Sequence, residues 1–182
     1  MRSRFFYDLG SPEAWLVAER VNHALPEVPA WKPIHLPGAA PTDSAALEAR
    51  ARALGLPPVR WPTTWPVTDT RSAMLAAAFA QGAGRGVAFS LAAFRQAFLA
   101  GRDLADPDTL VLAGAACELH PRALLKGMES RATRSRLEET SAEAARAGVR
   151  RTPALVLEDG LVCDAERLEA LLDAPGTAIP IR

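Results

Sequence analysis

A long helical segment separates the two ends of this sequence, and it limits the folds that the chain can adopt. Alanine- and leucine-rich stretches with helical spacing recur from about residue 42 to residue 147. No fixed period with matching residues relates them, so they do not indicate a repeat array. A proline-rich loop at residues 57–66 interrupts them, because its prolines cannot lie inside a helix. Any sheet is therefore expected to come from the residues before and after this block.

The N-terminal residues alternate between apolar strands and a helix. A short aromatic run predicts a strand over residues 3–9, which a glycine ends. Ser11 is a favoured N-cap and Pro12 a favoured first helical residue, so one helix is expected from there to residue 25. A second strand is predicted over residues 29–36, where Pro33 indicates an irregular or edge position. The first 36 residues thus predict the order β-α-β.

The C-terminal residues predict a hairpin followed by a helix. Two apolar runs, residues 153–158 and 161–163, flank the pair Asp159-Gly160, which is a strong signal for a tight turn. Asp164 is a suitable N-cap for the amphipathic helix that follows. This end of the chain therefore predicts the order β-β-α.

The order of all these elements indicates the fold class. β-α-β, a helical insertion and β-β-α together are the order of a thioredoxin-like α/β fold. We expect residues 1–36 and 148–182 to form a thioredoxin-like domain, into which residues 37–147 are inserted as a helical domain. A chain of 182 residues is long enough to bury a substantial core.

The charge balance argues against polymeric partners. The chain has 21 Lys and Arg residues and 21 Asp and Glu residues, so no net charge attracts it to nucleic acid or to an anionic membrane. The sequence shows no signal-peptide pattern and no run of about 18 apolar residues. We expect a soluble, cytoplasmic protein.

The cysteines and histidines predict neither a disulfide framework nor a metal site. Cys117 and Cys163 form no Cys-x-x-Cys motif and no cluster with zinc-ligand spacing. His23, His35 and His120 lie in separate segments without neighbouring ligands. We therefore expect no metal cofactor.

Several motifs, taken in their order along the chain, resemble one protein family. They are the Ser11-Pro12 turn in FYDLGSPEAWL, the helical insertion, LGLP followed by WP, the Thr152-Pro153 pair in GVRRTPALVLEDG, and the closing ERLEAL. Together they resemble the thioredoxin-fold group that contains DsbA-like proteins, 2-hydroxychromene-2-carboxylate isomerases and kappa-class glutathione transferases. The resemblance covers nearly the whole chain.

Ser11 occupies the place where redox members of this fold carry their first cysteine. Two cysteines in the first turn of the helix use its free N–H groups and dipole to stabilise a thiolate. Here that turn is Ser11-Pro12-Glu13-Ala14, so dithiol–disulfide exchange cannot occur in it. The resemblance implies that Ser11 holds the thiolate of glutathione or of a similar low-molecular-weight thiol. From the local sequence, Ser11 is also explained as an ordinary helix cap.

The resemblance also assigns binding roles to residues elsewhere in the chain. Thr152-Pro153 resembles the cis-proline pair that faces the first helix, and its backbone is expected to pair with the peptide part of the ligand. Asp164, Glu166 and Arg167 correspond to the turn that holds the γ-glutamyl end of glutathione. Thr68 lies where related proteins often carry an Asn.

Two further groups of residues each have a functional and a structural explanation. Arg150 and Arg151, next to Thr152, offer bidentate geometry for a carboxylate, or they are a solvated surface pair. Trp61 and Trp65 form a wall for an aromatic substrate, or they pin their loop to the core.

We therefore expect a thiol-dependent isomerase or transferase that acts on a small hydrophobic substrate. The resemblance also implies a homodimer. One alternative is a non-catalytic protein that binds a peptide or a thiol on the same surface. Another is a protein that is related to DsbA-type oxidoreductases by descent only, because it lacks Cys-x-x-Cys.

Overall fold

One mixed sheet unites the two ends of the chain. The structure, a computed structural model, describes residues 2–36, 42–67 and 69–173. The four strands are β1 (Arg4–Tyr7), β2 (Ala30–Pro33), β3 (Ala154–Val156) and β4 (Val162–Cys163). Their order is β2-β1-β3-β4, with β1 parallel to β2 and the other two pairings antiparallel. This arrangement confirms the predicted thioredoxin-like α/β fold.

The strands are shorter than the apolar runs that predicted them. β1 ends at Tyr7 and not at residue 9, because the chain turns there and the Asp8 carbonyl accepts a hydrogen bond from the Ser11 N–H at 3.1 Å. β2 ends at Pro33 and lies at an edge of the described sheet, as its proline predicts. The predicted turn at Asp159-Gly160 is also present, since the Gly160 N–H donates to the Leu157 carbonyl at 3.0 Å.

Helices account for most of the remaining described residues. Those outside the insertion are α1 (Pro12–Ala18), α2 (Val21–Ala24) and α9 (Ala165–Asp173). Those of the insertion are α3 (Ser44–Ala53), α4 (Arg71–Gly82), α5 (Gly86–Phe98), α6 (Pro107–Ala115), α7 (Pro121–Met128) and α8 (Arg131–Arg146). The single helix expected up to residue 25 is two helices, because the backbone leaves helical geometry at Arg20. Within the described part of residues 42–147 there is no strand, as predicted.

The insertion and the sheet share one hydrophobic core. Phe5 and Tyr7 of β1 and Trp15 of α1 belong to the same buried cluster as Phe94 and Phe98 of α5. The boundaries of a separate inserted domain stay a prediction. None of the described helices is long and apolar enough to cross a membrane.

Phe98, the last residue of α5, is the centre of an aromatic cluster. Its ring is stacked on that of Trp15 with 5.6 Å between centroids. It meets Trp61 and Trp65 edge-on, at 6.2 and 6.1 Å. The Phe98 carbonyl also accepts a hydrogen bond from the Arg60 N–H at 2.8 Å. The proline-rich loop at residues 57–66 is therefore attached to the core that supports α1.

We expect Phe98→Ala to lower the free energy of unfolding by about 3–5 kcal/mol, because it removes a fully buried ring and leaves a cavity between three tryptophans. Urea unfolding followed by tryptophan fluorescence and by circular dichroism measures the loss. Leu112→Ala is the control, since Leu112 is 43% exposed and its truncation should change stability by about 0.5 kcal/mol or less. Equal losses for the two variants would contradict the assignment of Phe98 to the centre of the cluster.

Candidate functional site

Ser11 caps α1 as the sequence predicts. Its backbone is extended, at φ −91° and ψ 112°, and Pro12 is the first helical residue. The Ser11 Oγ accepts a hydrogen bond from the Ala14 N–H at 3.1 Å. One of the free N–H groups at the start of α1 is thereby satisfied. The prediction that Ser11 is a helix cap is therefore confirmed.

The same hydroxyl also faces the chain that enters β3. Ser11 Oγ lies 3.2 Å from the Thr152 carbonyl oxygen and 3.2 Å from Glu13 Oε2, so its single proton has two acceptors in reach. The Thr152-Pro153 bond is cis, as predicted. Ser11 is half-buried, as is Thr152, whereas Pro153 is buried. The structure thus brings together Ser11, Pro12, Thr152 and Pro153.

Glu13 is a neighbour of Ser11 to which the sequence analysis assigned no role. Its Oε1 accepts a hydrogen bond from the Thr42 hydroxyl at 2.9 Å, which leaves Oε2 directed at Ser11. The carboxylate is half-buried and lies in the first turn of α1. It is favourable for the helix dipole, but it places a negative charge beside the Ser11 hydroxyl.

Asp8, His35 and Thr70 form a hydrogen-bonded chain behind the turn that carries Ser11. The Asp8 carboxylate accepts from the Gly10 N–H at 2.9 Å and from the Thr70 hydroxyl at 2.9 Å. His35 Nδ1 lies 3.3 Å from Thr70 Oγ1. Burial raises the pKa of Asp8, while the hydrogen bonds from Gly10, Thr70 and Leu36 and the charge of His35 act in the opposite direction.

The sequence analysis missed this chain, although one signal for it was present. Asp8 directly follows a buried strand, and His35 follows the next strand along the chain. Because β1 and β2 are parallel, their carboxyl ends lie at the same edge of the sheet, which brings Asp8 and His35 close together. No comparable signal pointed to Thr70, which lies in the insertion before α4.

Arg150 and Arg151 are exposed, and within the described residues neither has a hydrogen bond or an ion pair. They precede Thr152 directly in the sequence, so they lie next to the Ser11–Thr152 pair. Their predicted role in binding an anion stays a prediction.

The residues at the start of α9 are held by a capping interaction. Asp164 Oδ1 accepts a hydrogen bond from the Arg167 N–H at 3.1 Å, as expected for an N-cap. Asp164, Glu166 and Arg167 are exposed. In the described structure, no hydrogen bond joins these three to Ser11 or Thr152. Their predicted role in binding a γ-glutamyl group stays a prediction.

Trp61 is held by packing and by a hydrogen bond. Its Nε1–H donates to Glu48 Oε1 at 2.6 Å, and its ring lies 4.6 Å from that of Trp65, with both rings against Phe98. These contacts pin the loop to the core, and a wall for an aromatic substrate stays a prediction. Thr68 lies outside the described residues. The Trp65-Pro66 bond is cis, which the sequence analysis did not predict.

Neither cysteine has the surroundings of a nucleophile. Cys117 and Cys163 are buried, and burial raises the pKa of each thiol. Both therefore stay protonated at neutral pH. Among the described residues, no group of three His, Cys, Asp or Glu side chains is placed to hold a metal ion.

Comparison with known proteins finds the same fold in solved structures. A 2-hydroxychromene-2-carboxylate isomerase superposes with a TM-score of 0.79 at 16% sequence identity, covering 94% of this chain and 92% of that one. A probable DsbA oxidoreductase from Streptomyces coelicolor has a TM-score of 0.73 at 23% identity, covering 100% and 93%. The cytosolic disulfide reductase DsbM from Pseudomonas aeruginosa, in a structure with GSH, has a TM-score of 0.67 at 16% identity, covering 94% and 96%.

Sequence comparison places the chain in a family. No curated protein sequence matches it significantly. The family model of the DSBA-like thioredoxin domain matches residues 4–175, which is nearly the whole chain. The protein therefore belongs to the DSBA-like thioredoxin domain family.

Proposed function

We propose that this protein binds glutathione or a similar low-molecular-weight thiol at the surface formed by Ser11 and Thr152, and that it is an isomerase or transferase acting on a small hydrophobic substrate. The observation that carries the proposal is the 3.2 Å distance between the Ser11 hydroxyl and the Thr152 carbonyl, which brings a side-chain donor and the backbone before the cis-proline together. Two structural neighbours add to it, since one is named as an isomerase and another was solved with GSH.

The residues at this place fit a thiol through its sulfur and its peptide backbone. A thiolate is an acceptor, and the Ser11 hydroxyl is a donor whose two present acceptors both lie at 3.2 Å, longer than the usual distance between hydrogen-bonded oxygens. A hydrogen bond to a charged acceptor is about twice as strong as a neutral one. A bound thiol supplies a nucleophilic sulfur, whose addition to a conjugated double bond allows rotation about that bond before elimination. Ser11 would lower the pKa of that sulfur, because it donates to the charged form.

Arg150 and Arg151 are suited to hold a carboxylate of the thiol or of the substrate. Both are exposed without a described partner, next to Thr152. Guanidinium groups bind carboxylates through two parallel hydrogen bonds. In this proposal their positive charge favours an anion that binds beside Thr152.

A non-catalytic binding protein is the second candidate function. Glu13 Oε2 lies 3.2 Å from Ser11 Oγ, and a carboxylate at this distance opposes a second negative charge on a neighbouring sulfur. A site of this kind binds a thiol or a peptide without activating it. Dithiol–disulfide exchange is not a third candidate, because the first turn of α1 carries no cysteine.

We expect isothermal titration with glutathione to show binding at millimolar thiol or below. S-Methylglutathione is the control ligand, because it keeps the peptide and lacks the ionisable thiol. Weaker binding of the control would support a role of the sulfur in recognition. Absence of heat with both ligands at millimolar concentration would overturn the proposed function.

Ser11 variants separate the cap from the thiolate role. Ser11→Ala is expected to lower the free energy of unfolding by about 0.5–2 kcal/mol, and Ser11→Gly by only a few tenths. If Ser11 holds a thiolate, both variants raise the pKa of bound glutathione, which is measured by ultraviolet absorbance of the thiolate. Activity then falls more at neutral pH than at about pH 9, where the free thiol with its pKa of about 8.5 is already ionised. An unchanged pKa of the bound thiol in both variants would show that Ser11 acts only as the helix cap.

Arg151→Gln is expected to weaken glutathione binding about threefold to tenfold at low salt, because it removes a charge next to Thr152. The difference from the wild type should shrink as the salt concentration rises, since salt screens exposed charges. Arg131→Gln is the matched control, an exposed arginine at the first residue of α8. Equal effects of the two substitutions would show that net charge alone is responsible.

A further inference from the structure

The turn between β1 and α1 is fixed by Asp8 at three places. The Asp8 carbonyl accepts from the Ser11 N–H at 3.1 Å, and its Oδ1 accepts from the Gly10 N–H at 2.9 Å. Its Oδ2 accepts from the Thr70 hydroxyl at 2.9 Å, on the far side of the turn. The Asp8 residue is 6% exposed, although Asp is rarely buried. Asp8 therefore accepts a hydrogen bond from each of the two backbone N–H groups that lead into the helix, those of Gly10 and Ser11, and a third from Thr70.

Thr70 contacts the same turn with both branches of its side chain. Its hydroxyl donates to Asp8, and its methyl group lies so close to Gly10 that a Cβ at Gly10 would be 2.3 Å from Thr70 Cγ2. Only a glycine fits under this methyl group. Thr70 belongs to the insertion and lies directly before α4. The insertion therefore packs against the turn that carries Ser11.

The direction of the hydrogen bonds follows from the donors and acceptors present. An ionised Asp8 only accepts, so Thr70 gives its one proton to Asp8 and can only accept from His35. His35 Nδ1, 3.3 Å from Thr70 Oγ1, then carries the proton of the imidazole. The chain runs from a partly exposed His35 through Thr70 to Asp8, and from Asp8 to the backbone before Ser11.

We propose that Asp8 is a positioning residue for Ser11, and that the hydrogen bond from Thr70, which is itself bonded to His35, holds its carboxylate in the orientation that fixes the turn. The inference rests on the proposed function, in which the Ser11 hydroxyl must face the Thr152 carbonyl. A misplacement of a binding group by about 1 Å can cost a site about a hundredfold in rate. A rigid turn before Ser11 prevents such a misplacement.

Stability alone does not explain a carboxylate at this position. Burial raises the pKa of Asp8, against the hydrogen bonds of Gly10, Thr70 and Leu36 and the charge of His35. The folded protein thus binds this proton more tightly than the unfolded chain does. The group consequently favours folding at low pH, and this contribution is lost as the pH rises through the raised pKa. The shift disfavours the ionised form in the folded protein, so ionisation of Asp8 lowers stability, which fits a residue retained for the site.

Asp8→Asn and Thr70→Val test the inference. Asn keeps the shape of Asp. When its Oδ1 accepts from the Gly10 N–H, its NH₂ group takes the place of Oδ2 and can no longer accept from the Thr70 hydroxyl. Val keeps the methyl group of Thr70 and removes its hydroxyl. We expect each variant to weaken glutathione binding about tenfold and to raise the pKa of the bound thiol. Thr70→Ser, which keeps the hydroxyl, should bind as the wild type does.

Two further measurements separate positioning from a general loss of structure. Ser90→Ala is the control, because Ser90 is fully buried and bonds to Tyr7 at 2.6 Å, next to the turn but outside it. It should lower the unfolding temperature and leave glutathione binding unchanged. Hydrogen exchange of the Gly10 and Ser11 amides should become faster in Asp8→Asn and stay slow in Ser90→Ala.

The outcomes distinguish this inference from the proposed function. If the wild type binds glutathione, and Asp8→Asn and Thr70→Val bind it equally well, Asp8 does not position Ser11. If the wild type binds no glutathione, the proposed function is wrong, and the exchange rates alone decide whether Asp8 holds the turn. Unchanged exchange of Gly10 and Ser11 in folded Asp8→Asn would overturn the inference in either case.

Discussion

The antiparallel pairing of β1 with β3 is the interaction on which the candidate site depends. Phe6 of β1 is paired with Ala154 of β3, so the chain leaving β1 and the chain entering β3 lie side by side. This register places the Ser11 hydroxyl 3.2 Å from the Thr152 carbonyl, although the two residues are 141 positions apart. A shift by one residue would turn every β3 side chain to the other face of the sheet. The buried side chains on both faces of β3 fix this register, and they therefore also fix the position of Thr152 beside Ser11.

The helical insertion supports the other side of the same turn. The Leu9 N–H donates to the Met74 sulfur at 3.2 Å, and Thr70 donates to Asp8. Phe98 stacks on Trp15 of α1. Each of these contacts joins a residue of the insertion to the turn or to the helix that follows it. The insertion is thus part of the support of Ser11 as well as a candidate surface for the hydrophobic substrate.

Local patterns predicted the order of the elements but not the contacts between them. Periodicity and turn residues are properties of neighbouring residues, so the strands, the Ser11 cap and the Asp159-Gly160 turn could be predicted. The Asp8–Thr70 bond joins positions 62 apart, and no local pattern encodes it. Glu13 illustrates the same limit. Its place beside Ser11 follows from helix geometry, whereas its hydrogen bond from Thr42 joins positions 29 apart, which no local pattern encodes.

The donors and acceptors of Ser11 allow the cap and the proposed thiolate role to coexist. A hydroxyl has one proton to donate and two lone pairs to accept with. The cap uses a lone pair, which accepts from Ala14, whereas a thiolate needs the proton. A thiolate competes instead with Glu13 Oε2 and the Thr152 carbonyl, the two acceptors now at 3.2 Å. The charge on Glu13 makes it the stronger of these competitors. In the proposed function, Glu13 and a bound thiolate therefore compete for the Ser11 proton, while the cap to Ala14 is retained.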